Sequence, residues 1–384
     1  MNDFSDTPSA PPESDPTDAA VRLFEDAAAA LDEYLFDKAE ELARSALSIF
    51  EDSFGPDHPD VANVLNLLAE VFERRSRYEE AQKLYARSVE IMGKISTAIS
   101  DEPEMNLLKL QSMRGLAGVY QARGRYDEAE SLLLEALEIA GNAFGPAGRE
   151  VAITLNSLGV VHKYQGRYEE GMRRYERALK ILDLYPELDR ADLAALYHNL
   201  AGIEHSRGAY AEGEAFARKG IALRREGMGL GAGHPDVAAD LAQLASLIAT
   251  RGRHEEAEPL YREALSLFEK IYGREHIEIA VNLNNLGSLC QAQGRLDEAE
   301  AHYREALAIK EQILGSDHPD IAITLNNLAS LLKSRGRLLE ALEFYRRALT
   351  IFEATLPSGH SRTVTCRQNR EALFREISVN PQVE

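Results

Sequence analysis

The side chains able to do chemistry are scattered in this 384-residue chain. Gly227-Met228-Gly229-Leu230-Gly231-Ala232 has the GxGxxA spacing of a dinucleotide-binding turn. That turn needs a strand before it and a helix after it, so that backbone N–H groups can meet a pyrophosphate. Here a helical pattern precedes it and Gly-His-Pro-Asp-Val follows, which predicts a longer loop instead. His254-Glu255-Glu256-Ala257-Glu258 lacks the second His of an HExxH zinc helix. His254 stands where Tyr78 and Tyr126 stand in other copies of the same phrase, so it is expected to pack in a turn. Cys290 aligns with Phe72, Tyr120 and Leu332 and is expected in the core, whereas Cys366 is expected to be exposed. His162 and Glu204 share that apolar register and would be buried polar groups in need of partners. No Ser-His-Asp or Cys-His set and no metal-ligand spacing occurs. The expectation is therefore no catalytic residue, no metal, no cofactor and no enzyme.

Composition narrows the partner. Lys and Arg number 43 against 63 Asp and Glu, for a net charge of −20 and a pI near 5.0. Nucleic acid and anionic membranes call for a basic face, so neither is expected as a partner. No apolar run reaches the length of a membrane span. The first 17 residues are acidic and rich in Pro and Ser, unlike a secretory signal, and the two cysteines fit a reducing compartment. These readings point to a cytoplasmic protein. Oligomeric state leaves no mark on the sequence.

The elements that must carry any site are set by an internal repeat. RSRYEEA (75–81), RGRYDEA (123–129), QGRYEEG (165–171), RGAYAEG (207–213), RGRHEEA (251–257), QGRLDEA (293–299) and RGRLLEA (335–341) are one phrase, and YLFDKA ending at Ala39 is a worn copy. Most intervals between copies are 42 residues. Each unit reads as two helices. His58-Pro59, His234-Pro235 and His318-Pro319 open first helices, where a proline lacks only an N–H that would have no intrahelical partner. Glycines such as Gly124, Gly252 and Gly336 close them. Small residues face one another within a unit, as Ala69 and Ala81 or Ala329 and Ala341, and tyrosines such as Tyr85, Tyr175 and Tyr345 fill the gap to the next unit.

This pattern resembles the tetratricopeptide repeat, in the 42-residue form of kinesin light chains and their bacterial relatives. The clearest stretch is LGSDHPDIAITLNNLASLLKSRGRLLEALEFYRRALTIFE at 314–353. The resemblance implies an all-α, right-handed superhelical solenoid of about eight helix-turn-helix repeats over 18–360. A capping helix is expected over 361–377, with disordered tails at 1–17 and 378–384. In the cap, Val364, Leu373, Phe374 and Ile377 are expected to cover the last unit. Extra residues near 96–106 and 227–233 mark irregular joints.

The resemblance further implies a concave groove, lined by first helices, that binds a protein or peptide ligand. The residues expected to face it are Asn66, Asn156, Asn199, Gln243, Asn284, Asn285, Asn326 and Asn327, with Lys163 and Lys333 one turn on. Carboxamides offer donors and acceptors to an extended backbone. They could equally bond the neighbouring unit, since Asn is a poor helix former and its recurrence needs a cause. Arg75, Arg77, Arg123, Arg125, Arg251, Arg253, Arg335 and Arg337 recur in the turns, either as a strip for an acidic partner or paired with nearby glutamates. The position that holds Lys in chaperone-tail clamps carries Asn63, Gln111, Ile153, Ala195, Ala239, Val281 and Ile323, so chaperone tails are not expected. A kinesin heavy chain is not expected either, because no long heptad coiled coil precedes the repeats. The expected role is a scaffold or adaptor. The alternative is a peptide-responsive regulator or sensor subunit of a bacterial signalling or protease system.

Overall fold

The structure, a computed structural model, describes residues 16–95, 102–184, 190–231, 233–357 and 359–379. Among the described residues there are seventeen α-helices, one π-helical turn and no strand. The pairs are α1 (Pro16–Asp32) with α2 (Phe36–Phe54), α3 (Pro59–Arg74) with α4 (Tyr78–Ile95), α5 (Pro103–Ala122) with α6 (Tyr126–Phe144), and α7 (Arg149–Tyr164) with α8 (Tyr168–Leu182). They continue as α9 (Arg190–Arg207) with α10 (Tyr210–Ala222), α11 (Pro235–Thr250) with α12 (His254–Tyr272), α13 (Ile277–Ala292) with α14 (Leu296–Leu314), and α15 (Pro319–Ser334) with α16 (Leu338–Thr355). Helix α17 (Ser361–Val379) ends the described chain. Residues 1–15 and 380–384 of the expected tails lie outside the described residues, as do 96–101 of the first irregular joint. Helix α1 starts at Pro16, two residues ahead of the expected boundary, and α17 runs two residues past its own.

Each pair closes as its small residues require. Ala69, Ala81, Ala329 and Ala341 are fully buried. At Gly159 a Cβ would lie 2.2 Å from Tyr175 Cε1, so only glycine admits the ring. First helices touch the first helices of adjacent units, which makes the odd-numbered helices the inner wall. The helix-closing Gly252 takes φ +78°, a left-handed conformation that other residues adopt at a cost of about 1 kcal/mol or more.

The superhelix completes a turn and meets itself. Unit six lies over unit one: the His234 ring meets Tyr34 edge-on, with centroids 6.1 Å apart. Unit six also reaches unit one at the end of its second helix, and unit seven lies over unit two. Tyr272 stacks on Phe36 at 6.1 Å, and His276 Nε2 donates to the Arg74 carbonyl at 3.0 Å. Unit eight brings Pro319 and His318 against Gly124, where a Cβ would be 3.0 Å from Pro319 Cδ. The cap brings His360 against Gly166, where a Cβ would be 2.9 Å from the ring. An open trough is therefore replaced by an inner channel walled by two successive turns.

Two expectations for the cap are corrected. Cys366 is fully buried, its thiol 3.7 Å from the Tyr345 carbonyl, and burial pushes that thiol up to about 11. Phe374 is exposed. The buried stripe of α17 runs through Thr363, Cys366 and Leu373, which turns Phe374 outward.

Candidate functional site

The inner wall encloses two adjoining cavities. One, of about 510 Å³, is lined from the later units by Asn284, Asn285, Ser288, Lys310, Ile323 and Asn327, and from the earlier turn by Tyr164 and His205. Arg362 and Asp320 complete its charged lining. The other, of about 530 Å³, is lined by Glu70, Glu73, Tyr85 and Gln121 from α3, α4 and α5, and by Tyr126 and Tyr164. Opposite them stand Tyr272, His276, Glu278 and His318. Tyr164, Val281 and Asp320 border both cavities. Tyr164 stacks on Tyr126 with centroids 5.7 Å apart and carries Lys163 Nζ 4.8 Å above its ring.

The carboxamide ladder divides. Asn284, Asn285 and Asn327 are brought together at the first cavity, where Asn327 Nδ2 donates to Asn284 Oδ1 at 3.3 Å. Asn199 Nδ2 donates to Asn156 Oδ1 at 3.0 Å in the earlier turn, with neither lining a cavity. Asn66 Nδ2 donates to Ser112 Oγ at 2.9 Å, and Ser112 Oγ lies 2.8 Å from Ser88 Oγ, so this rung serves the joint between units. Asn326 lines neither cavity and has a buried Oδ1 without a partner among the described residues. Lys163 and Gln243 approach each other over Gly202, where a Cβ would be 3.3 Å from Lys163 Nζ and 3.7 Å from Gln243 Oε1. Lys333 is drawn away to the cap, its Nζ 3.2 Å from Glu376.

Electrostatics in the channel follow from depth. Burial, reinforced by Glu70, raises the Glu73 carboxyl to about 7. Burial raises Glu278 as well. Burial, helped by Arg362, lowers Lys163 to about 8. Asp320 is lowered: burial acts upward on it, and Lys310, His318, Arg362 and Lys163 together outweigh that. These side chains are half-buried, open to the cavities but far from bulk water.

The chemically suggestive residues of the sequence resolve into structure. Gly229 has φ +66° in a coil after the π-helical turn Leu223–Gly227, and no strand precedes it among the described residues, so Gly227–Gly231 lacks the strand that a dinucleotide-binding turn requires. Cys290 is core. His162 sits 3.1 Å from Glu130, which also receives Arg167 and Gln165. Burial works against ionisation of Glu130, yet these bonds, led by Arg167, hold it near 2. Glu204 pairs with Arg207 at 3.0 Å, and burial raises it. His254 opens α12 and also lines the first cavity. Most turn arginines are spent on glutamates of their own and the preceding unit, Arg337 on Glu340 and Glu300 and Arg253 on Glu256 and Glu214, while Arg123 donates to Gln82. Among the described residues no cluster of His, Cys, Asp or Glu could hold a metal, and no helix is long and apolar enough to cross a membrane.

A second histidine set escaped the sequence reading. His234, His276, His318 and His360 are each 42 residues apart. Each caps a first helix, with Nδ1 accepting from the backbone N–H two residues on at 3.1 to 3.2 Å. Only two of the four precede proline, so the His-Pro signature found half of them, whereas the spacing would have found all. Their Nε2 edges face the turn below: His276 bonds the Arg74 carbonyl, and the buried Nε2 atoms of His318 and His360 are left without a full partner. Glu278, Asp320 and Arg362 were missed for the same reason, since each lies two residues past such a cap, outside the positions counted as groove-facing.

Comparison with known proteins agrees with this architecture. The family profile described as tetratricopeptide repeat matches residues 27–94, 108–183, 152–226, 192–270, 236–312 and 278–354. No curated protein matches the chain. Among solved structures, Rap protein complexed with Competence and Sporulation Factor is 14% identical, covers 94% of this chain and 99% of its own, and superposes with a TM-score of 0.55. The apo form of RapI is 16% identical, covers 77% and 98%, and also scores 0.55. A kinesin light chain protein of Podosopora anserina with nearly identical TPR-like repeats is 22% identical over 52% of this chain and 91% of that one, with a TM-score of 0.40. With the profile spanning most of the described helices, the chain belongs to the tetratricopeptide repeat family.

Proposed function

We propose that this chain is a scaffold that holds a peptide segment of another polypeptide inside its superhelical channel and does no chemistry on it. One observation carries this reading: two adjoining cavities, of about 510 and 530 Å³, are walled by inner helices of both superhelical turns. Volumes of that order suit small ligands and peptide side chains. Asn285, Asn284 and Asn327 supply carboxamides to the first cavity, and Tyr126 and Tyr164 supply flat surfaces to the second. A rigid, preformed channel leaves most of the ordering cost to the ligand. The Rap protein of the same fold is described in complex with Competence and Sporulation Factor. The two cysteines are free, which suits a cytoplasmic setting.

The regulator reading draws on one feature. A ligand touching both cavities would tie residues of one turn to residues of the next, and so bias how tightly the turns close. The joint at 223–231 gives it less support, because Arg224 bonds Asp240 at 2.9 Å and Asp236 at 2.6 Å across that turn.

Ser288 is exposed and lines the first cavity, so Ser288→Trp fills the space without entering the core. Synthetic hexapeptide pools should be retained by the native chain in equilibrium dialysis. Retention should fall at least about tenfold with Ser288→Trp at unchanged melting temperature. Equal retention by both proteins, or none by the native chain, would remove the channel as a peptide site.

A further inference from the structure

Nearly every arginine in the outer turns is spent on a carboxylate, as Arg295 on Glu258 and Glu298 or Arg335 on Asp297 and Glu300. Inside the channel that habit stops. In the second cavity Arg74 neutralises Glu70 at 2.8 Å, but Glu73 and Glu278 have no cation at ion-pair distance among the described residues. Glu73 receives only the Tyr85 hydroxyl, at 3.3 Å. Tyr126, only 5% exposed, borders the same cavity, and its hydroxyl has no hydrogen-bond partner among the described residues. In the first cavity the balance is reversed: Lys310 and Arg362 face one carboxylate, Asp320, which borders both cavities. Lys310 is used internally, on the Asp320 carbonyl and Thr324 Oγ1. Among the described residues Arg362 has no carboxylate bonded to its guanidinium, and Lys163, next to Tyr164 at the rim, meets only ring and amide groups. Asn284, 7% exposed, spends its Oδ1 on Asn327 and has an Nδ2 without a partner among the described residues.

Unpaired charges held away from bulk water are costly unless something pairs them. The unspent carboxylates Glu73 and Glu278 lie in one cavity and the unspent cations Arg362 and Lys163 at the next, with the Asp320 carboxylate bordering both and at ion-pair distance of no cation among the described residues. Resting on the proposed peptide-binding role of this channel, we infer that its ligand is a dipolar peptide, with an amine or guanidinium lying in the Glu73–Glu278 cavity and a carboxylate lying toward Arg362 and Lys163. The charges can come from side chains or from free chain ends, since the recognising chemistry is the same.

Equilibrium dialysis of five synthetic hexapeptide pools separates these cases. Four have both ends blocked and carry one basic and one acidic residue, a basic residue only, an acidic residue only, or no charge. The fifth is uncharged in its side chains with free ends. At low salt the dipolar pool should be retained about tenfold or more above the blocked uncharged pool, with the advantage shrinking as salt rises. Glu73→Gln with Glu278→Gln should erase the advantage of the basic residue and spare that of the acidic one, and Arg362→Gln should do the reverse. Should the double variant lose helical circular dichroism, Glu278→Gln alone decides, because that side chain bonds nothing in the fold. A free-ended pool that matches the dipolar pool assigns the charges to chain ends; one that matches the blocked uncharged pool assigns them to side chains. Equal retention of all blocked pools, still lost with Ser288→Trp, would leave the channel a peptide site and overturn its dipolar character. Retention of no pool would overturn both.

Discussion

Asp240 shows how one residue can fix a joint that the sequence marked only as irregular. It is 1% exposed on α11, with His198 Nδ1 at 2.8 Å and Arg224 Nε at 2.9 Å on its two oxygens. Arg224 is buried as well, on the π-helical turn that absorbs the two extra residues of this unit. Taking away one member of a buried ion pair strands the other, at a cost of about 3–5 kcal/mol. Arg224→Met should therefore lower the melting temperature strongly, and adding Asp240→Leu should recover much of the loss in the same thermal melt. A mild effect of Arg224→Met would mean that the joint is loose. The two-residue excess and the glycines were legible in the sequence, but this clamp was not. Its partners are 16 positions apart, and nothing in a linear pattern says that a charged side chain at an inner-helix position is paired rather than wet. The same limit applies to the ladder. Asn284 and Asn327 bond each other at the cavity wall, so replacing Asn284, Asn326 and Asn327 together by Ala removes an inter-unit bond as well as a ligand contact.

At the scale of the element, the repeat was legible almost to the residue. Pro59, Pro235 and Pro319 begin helices, and Gly252 and Gly336 end them. Periodicity reports which face of a helix is buried, and that suffices for a helix paired with its sequence neighbour. Helix α17 defeats it because its apolar positions are few: the pattern makes Phe374 cover and Cys366 surface, and the structure exchanges the two. The capping histidines show how one local motif acquires two roles. His58 and His276 make the same bond from the N–H two residues on, at 3.2 Å. Both rings stack on the aromatic residue four positions earlier, His276 on Tyr272 at 4.0 Å and His58 on Phe54 at 4.4 Å, but only His276 also reaches a carbonyl of the turn below, that of Arg74. His58→Ala should cost about 1 kcal/mol, the usual loss of a cap. His276→Ala should cost about twice that, because the part-buried Arg74 carbonyl loses its donor too. Equal losses in denaturant titrations would show that the inter-turn bond contributes nothing.

The whole molecule is where the sequence was least informative. No repeat encodes how far five units rotate about the superhelix axis, so the contact of one turn with the next could not be read from any single unit. That contact has a pH signature. Burial lowers His234, His318 and His360 below the usual histidine value and takes His276 to about 4. Around these rings lie Arg74, Asp236, Arg224, Asp320, Lys310 and Arg362, and none outweighs the desolvation. A protonated ring would also present an N–H to the backbone donor that it now caps. The folded state thus binds fewer of these protons than the unfolded chain. The stabilisation is full above about pH 6.5 and is lost as pH falls toward 4, by about 3 kcal/mol at most for His276 alone. Glu73, raised to about 7, acts with the opposite sign and withdraws stability as pH climbs from the ordinary carboxylate range through 7. The native chain should lose more stability than His276→Gln between pH 7 and pH 5 in thermal melts; parallel losses would remove this histidine from the account.

Amide hydrogen exchange with the dipolar hexapeptide pool bound tests the central claim, a channel walled by two turns around a peptide, most directly. The account expects slowed exchange in inner helices of both turns at once, in α3, α5 and α7 as well as in α13 and α15, with the outer helices α8, α10 and α16, which line neither cavity, unchanged. Protection confined to outer helices, or to a single turn, would contradict it.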